Sequence, residues 1–159
     1  MAGANPLYYW DTCLFIAWLK DESRPTGEMD GVREIIDRSK RRDCRLMTSV
    51  LTSIEVLQAT IPAGFDTHFT ALLRRVNRVG LETKIAGVAH DIRNHYAVKG
   101  QKLETPDAIH LATAIIYRAD EFHTFDHALI AFSGNVAGHR LTICKPEAKS
   151  PQLDLRPAK

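Results

Sequence analysis

Residues 105–126 read TPDAIHLATAIIYRADEFHTFD, and this stretch decides the fold class. Thr105 at the N-cap, Pro106 at the first helical position and Asp107 in the first turn predict a helix start. Ala108, Leu111, Ala112, Ile115 and Ala119 recur at helical spacing, and Ile109 and Ile116 widen the apolar stripe until little of the helix can face water. Asp107, His110, Thr113 and Tyr117 form a polar line on what remains. After Arg118-Ala119-Asp120 comes an extended run, Glu121–Phe125, which carries Thr124 and stops at a second carboxylate, Asp126. A buried helix that opens on an acid, followed by a strand that closes on one, is half of an acidic site. Each acid also has an ordinary reading. Asp107 is a first-turn acid on a helix dipole and Asp126 a cap for the next helix, so partners elsewhere must decide.

Upstream, Leu7–Trp10 is a continuous apolar run of the kind that forms a strand buried on both faces in a parallel sheet. It stops at Asp11-Thr12, after which Cys13–Leu19 turns helical; an acid at the carboxyl end of a buried strand sits where open α/β sheets place their ligands. Residues 21–27, DESRPTG, are a turn-rich loop. Glu28–Arg42 is an amphipathic helix ending in the basic run Lys40-Arg41-Arg42. Arg45–Met47 is a short strand, and Thr48 or Ser49 caps a helix reading VLTSIEVLQA that Pro62 ends. Within it Glu55 lies between Ile54 and Val56, either snorkelling to solvent or held inward for a purpose.

Phe65–Val79 has helical spacing that would cluster Arg74, Arg75 and Arg78, either as a solvated face or as a weak RNA-tracking patch. A very short strand over Gly80–Glu82, a helix over Thr83–Val98, a short helix over Ala128–Phe132 and a last strand over Leu141–Cys144 complete the pattern. Short strands alternating with helices predict an α/β, three-layer sandwich: a mainly parallel central sheet flanked by helices. One domain over 1–145 and a C-terminal tail over 146–159 are expected, with a loose end at residues 1–5.

Composition narrows the function classes. With 159 residues, 45% hydrophobic and 25% charged, the chain is long enough to bury one sizeable core. A formal charge of +2 permits a polyanionic partner without requiring one. Cys13, Cys44 and Cys144 fit no zinc spacing and suit reduced cytosolic thiols. The N-terminal stretch lacks a basic n-region and Asp11 interrupts its apolar run, so no membrane span and a cytoplasmic location are expected.

In a right-handed α/β sheet the carboxyl ends of the strands share one edge, where Asp11 and Asp126 can meet and helices bring Glu55 and Asp107 within reach. Gathered carboxylates repel, by ~1 kcal/mol per pair at about 4 Å in water and ~4 kcal/mol at an effective dielectric of about 20. A divalent cation removes that penalty, and oxygen-only ligation selects Mg²⁺ or Mn²⁺ over zinc.

Asp11-Thr12 after an apolar strand, Glu55 after a Ser/Thr stretch, Asp107 opening DAIHLATA, and Thr124-Phe125-Asp126 together resemble a PIN-domain ribonuclease, with the closest likeness to VapC-type toxins of toxin–antitoxin pairs. The likeness spans Leu7 to Cys144. It implies a PIN-like fold and a Mg²⁺/Mn²⁺-dependent endoribonuclease acting on RNA, cytoplasmic and homodimeric, inhibited by a small antitoxin protein. Asp11, Glu55, Asp107 and Asp126 would then be the catalytic and metal-binding acids. Thr124 would support the site, and Thr12 would act from behind the acids. Asp107, at a helix N-terminus, would stay ionised. Cys13 stands where such sequences often carry Asn, and His110 either orients a carboxylate, contacts RNA or is structural. An aspartyl phosphatase would need a second Asp at position 13, which is Cys. The remaining alternative is a PIN-type module that binds RNA or protein without cutting.

Overall fold

The computed structural model describes residues 3–20, 22, 24 and 27–148. Parts of the loop expected over 21–27 and the tail from 149 onward therefore lie outside the described residues, as do residues 1 and 2. Strand β1 is Leu7–Trp10, β2 Arg45–Ser49, β3 Val76–Val79, β4 Glu121–His123 and β5 Ile143–Cys144. All pair in parallel, in the order β3-β2-β1-β4-β5. The chain runs outward from β1 to one side, then crosses over to build the other. That makes the carboxyl end of β1, beside β4, the topological switch point of the sheet.

Alternation along β1 explains the two cores. Tyr9, with Met47 and Val79, faces a cluster containing Ile85, Ile92, Leu111 and Phe122. Tyr8 and Trp10, with Leu46 and Val76, face the opposite cluster of Leu14, Phe15, Val32, Ile35 and Leu72. Helices α1 (Thr12–Leu19), α2 (Glu28–Lys40) and α4 (Asp66–Leu73) supply the second cluster. Helices α5 (Thr83–Ala97), α6 (Thr105–Ile116) and α7 (His127–Ile130) cover the first. The expected three-layer α/β sandwich is what forms, and its sheet is wholly parallel.

Several local expectations are corrected. The helix expected over 65–79 breaks: α4 stops at Leu73, and Val76–Val79 becomes β3, paired to Leu46–Ser49. The ladder to β2 overrides helical spacing, and in the strand Val76 and Val79 enter the two opposite cores. No strand occupies 80–82. Thr48 and Ser49 close β2, and although Val50 holds the N-cap position, Ser49 Oγ accepts from the Leu51 amide at 3.1 Å as expected of a capping hydroxyl; α3 is only Leu51–Glu55, followed by a 3₁₀ turn at Gln58–Thr60. Glu104, not Thr105, is the N-cap of α6. The polar line of α6 is not its wet face: His110 and Thr113 are buried, whereas Ile109, Ile115 and Ile116 are half-buried.

Candidate active site

Asp11 leaves β1 in extended conformation and caps α1, its Oδ1 accepting from the Thr12 amide at 2.8 Å. Its other oxygen accepts from Thr124 Oγ1 at 2.8 Å, and the Asp11 amide donates to His123 O at 3.0 Å. The carboxylate is therefore pinned between the ends of β1 and β4, with the residue only 8% exposed. Thr124 Oγ1 also accepts from the Asp126 amide at 3.0 Å, so one hydroxyl sets both acids. Asp126 is exposed and caps α7, accepting from the Ala128 amide at 2.9 Å. Its capping role and its place beside the other acids coexist.

Glu55 ends α3 with its side chain one-third exposed, and it is held inward. Oε1 accepts from Thr12 Oγ1 at 2.8 Å and from His110 Nε2 at 2.6 Å. The tautomer follows from the partners. Tyr9 OH accepts from the Ser49 amide at 3.0 Å, which leaves its own proton for His110 Nδ1 at 2.5 Å. Nε2 then carries the ring proton and donates it to Glu55. Chiefly through that hydrogen bond, His110 holds the Glu55 carboxyl below its usual range. Burial keeps the Tyr9 hydroxyl protonated, pushing its pKa well up. Beneath lies a hydroxyl relay, Thr48 Oγ1 donating to Trp10 O at 2.8 Å and Thr52 Oγ1 to Thr48 at 2.7 Å. This is the use of the Thr/Ser stretch that precedes Glu55.

Asp107, in the first turn of α6, behaves contrary to expectation. Burial first, then the charges of Asp11 and Asp126, raise its pKa to about 6. The helix N-terminus does not outweigh them. Asp107 therefore lies within electrostatic range of Asp11, Asp126 and Glu55. They are not drawn to a single ion's shell. Among the described residues, the triad whose ligand atoms all lie within 4.8 Å is Glu121, His123 and Cys144.

That triad does not fit a metal. The Trp10 indole N–H, which can only donate, points at His123 Nδ1 at 3.2 Å. The neutral ring must then carry its proton on Nε2, which donates to Glu121 at 2.7 Å and has no lone pair to ligate with. Cys144 Sγ donates to the same Glu121 oxygen at 3.7 Å. The cluster is a hydrogen-bonded lock between β1, β4 and β5. The acids fit a hard divalent cation better: their donors are all oxygen, and repulsion at Asp107 is unrelieved.

Cys13 occupies the wall of the pocket, with Sγ 3.6 Å from Asp11 Oδ2 and 3.5 Å from Thr124 Oγ1. Burial and then Asp11 push its thiol up to about 12, so it is a neutral, weakly polar filler. The three arginines do not cluster as a helix face. Arg74 is the C-cap of α4, Arg75 lies in the turn after it, and Arg78 on β3 donates to Ser53 Oγ at 3.3 Å. Sequence reasoning missed Tyr9, whose only signal was a hydroxyl inside an apolar strand.

The PIN domain family model matches residues 8–135. No curated protein matches. Among solved structures, a toxin–antitoxin complex from Klebsiella pneumoniae superposes with a TM-score of 0.61 at 21% identity, covering 88% of this chain and 98% of that one. VapBC2 from Rickettsia felis, bound to a DNA fragment from its promoter, gives 0.62 at 13% identity, covering 86% and 98%. FitAcB from Neisseria gonorrhoeae gives 0.58 at 16% identity, covering 87% and 97%.

Proposed function

Because the chain belongs to the PIN domain family, we propose that it is a Mg²⁺- or Mn²⁺-dependent endoribonuclease and the toxin of a toxin–antitoxin pair. The observation that carries the reading is the hydrogen-bonded frame in which Thr124 links Asp11 to the Asp126 amide and His110 holds Glu55 while lying 4.0 Å from Asp11, with Asp107 in range of their charges. These four would hold the cation, which supplies Lewis-acid polarisation of a phosphodiester and makes water a competent nucleophile at neutral pH. Thr124 holds Asp11 and the Asp126 backbone, while Thr12 and His110 hold Glu55, so the donors are set before substrate arrives. Hydrolysis by water leaves a 5′-phosphate and a 3′-hydroxyl. Arg78, tied to α3 through Ser53, is the one of the three arginines placed near the carboxyl end of β3, and it is proposed to meet the RNA backbone. Similar structures are complexes of toxin with antitoxin, which supports a small antitoxin partner; a homodimer in the cytoplasm is part of the same proposal. No described helix is long and apolar enough to cross a membrane.

The test is cleavage of RNA by the full chain with Mg²⁺ or Mn²⁺. We expect activity that EDTA abolishes and that Asp11→Asn and Asp107→Asn lower at least a hundredfold with unchanged circular dichroism. Cleavage at the wild-type rate by both variants, or cyclic 2′,3′-phosphate ends formed in EDTA, would overturn the reading.

A further inference from the structure

At the opposite ends of the same strands lies a cavity of about 780 Å³. It opens at the starts of β1, β2 and β3, about 13 Å from Asp11 at 3.3 Å per strand residue. Lys40, Arg42, Arg45 and Arg75 line it together with Asn77 and Tyr117, and none of its lining residues is acidic. Lys40 ends α2 and lies 3.9 Å from Asp37, an ordinary helix-terminal cation. The others differ. Among the described residues no carboxylate pairs with Arg42, Arg45 or Arg75.

Arg42 adopts φ 64° just past the C-cap of α2, a left-handed position where glycine is the least costly residue. Its carbonyl accepts from Asn5, whose own carbonyl accepts from Arg45 Nε at 3.2 Å, so Asn5 ties the Arg42 backbone and the Arg45 guanidinium to one mouth. Tyr117 donates its hydroxyl to Glu82 at 2.9 Å, which fixes a half-exposed ring on the wall.

We propose that this cavity binds the phosphates of a nucleotide, free or at the 5′ end of a strand. Unopposed guanidinium forks match phosphate oxygens bidentately. The volume is that of a pocket for one small molecule rather than a track for a long strand. Tyr117 offers a face on which a base can stack. The site is independent of the acidic pocket and stands or falls separately from the nuclease reading.

Calorimetric titration of the full chain in EDTA at low salt tests it, with ATP, inorganic tripolyphosphate, adenosine and a 5′-phosphorylated hexanucleotide as probes. ATP and tripolyphosphate are expected to bind at least tenfold more tightly than adenosine. Arg42→Gly and Arg75→Gln should each weaken ATP at least tenfold, and Lys84→Gln, an exposed lysine outside the cavity, should not. Arg42→Gly should hold or raise Tm by roughly 2–4 °C, which separates lost binding from lost folding. Tighter binding of the hexanucleotide than of ATP identifies a strand end, the reverse a free nucleotide, provided the arginine variants weaken both. Adenosine binding as tightly as ATP, no ATP or hexanucleotide binding at millimolar concentration, or arginine variants within twofold of wild type would overturn the proposal.

Discussion

Asp107 is where burial and charge oppose the local sequence signal. Its pKa rises from 3.8 to about 6 in the fold. Across that window the folded protein binds more protons than the unfolded chain, so metal-free stability falls as pH rises through it, and the penalty is complete above. Asp107→Asn removes the penalty. At pH 7 in EDTA the variant should be more stable by about 1 kcal/mol, a screened fraction of the ~3 kcal/mol that the full shift represents. The advantage should vanish below pH 3.8, where wild type is protonated in both states; urea melts at stepped pH read both limbs. Glu55 has the opposite sign. Its lowered pKa contributes stability above 4.5 that is lost as pH falls through the folded value. The support for that shift is His110, itself oriented by Tyr9. Tyr9→Phe leaves the buried Ser49 amide and His110 Nδ1 without their partner and should cost about 1–3 kcal/mol. It should also raise the Glu55 titration seen by carboxyl NMR; an unmoved Glu55 would mean that the tyrosine does not orient the ring.

Among the elements, α2 is packed so closely that it has no room for a methyl group. A Cβ built at Gly31 would lie 1.9 Å from the backbone oxygen of Pro146. Glu28, in the first turn of the same helix, pairs with Lys145 at 2.5 Å. The chain after β5 is thus clasped to α2 through Lys145 and through Pro146 at the start of the expected tail. Gly31→Ala must push the 145–147 segment away and should cost about 1–3 kcal/mol, despite alanine's higher helix propensity. A thermal melt decides this. If the variant gains stability, the segment does not pack on α2. Within the sheet, β3 is only half-buried, and its neighbour β2 rather than its own sequence makes it a strand.

For the whole molecule, a cation should convert mutual repulsion into ligation. At free Mn²⁺ ten times its dissociation constant, binding adds about 1.4 kcal/mol, a rise in Tm of roughly 3–6 °C for a chain of this size. Asn at position 11 or 107, or Gln at 55, should gain much less. Equal shifts in wild type and all variants would show that the acids share no ion. Cys144→Ser should leave the metal shift untouched, since the Glu121–His123–Cys144 lock has no free imidazole lone pair.

The order of elements, the parallel sheet, and the positions of Asp11 just past a strand and Asp107 in the first turn of a helix were legible in the chain. The signals for them are local: apolar runs the length of a strand, a Pro–Asp helix start, and acids just past strand ends. What only tertiary structure decided rests on residues distant in sequence. Tyr9 meets His110 across 101 positions, and Trp10 fixes the His123 tautomer across 113. The break at Arg74-Arg75 follows from pairing with β2, which no helical periodicity within 65–79 encodes. Asp107 departs from its ordinary acidity because burial and other carboxylates surround it in space. Periodicity reports which face of an element is apolar; it carries no information about which polar group stands opposite, and that opposition sets each proton in this site.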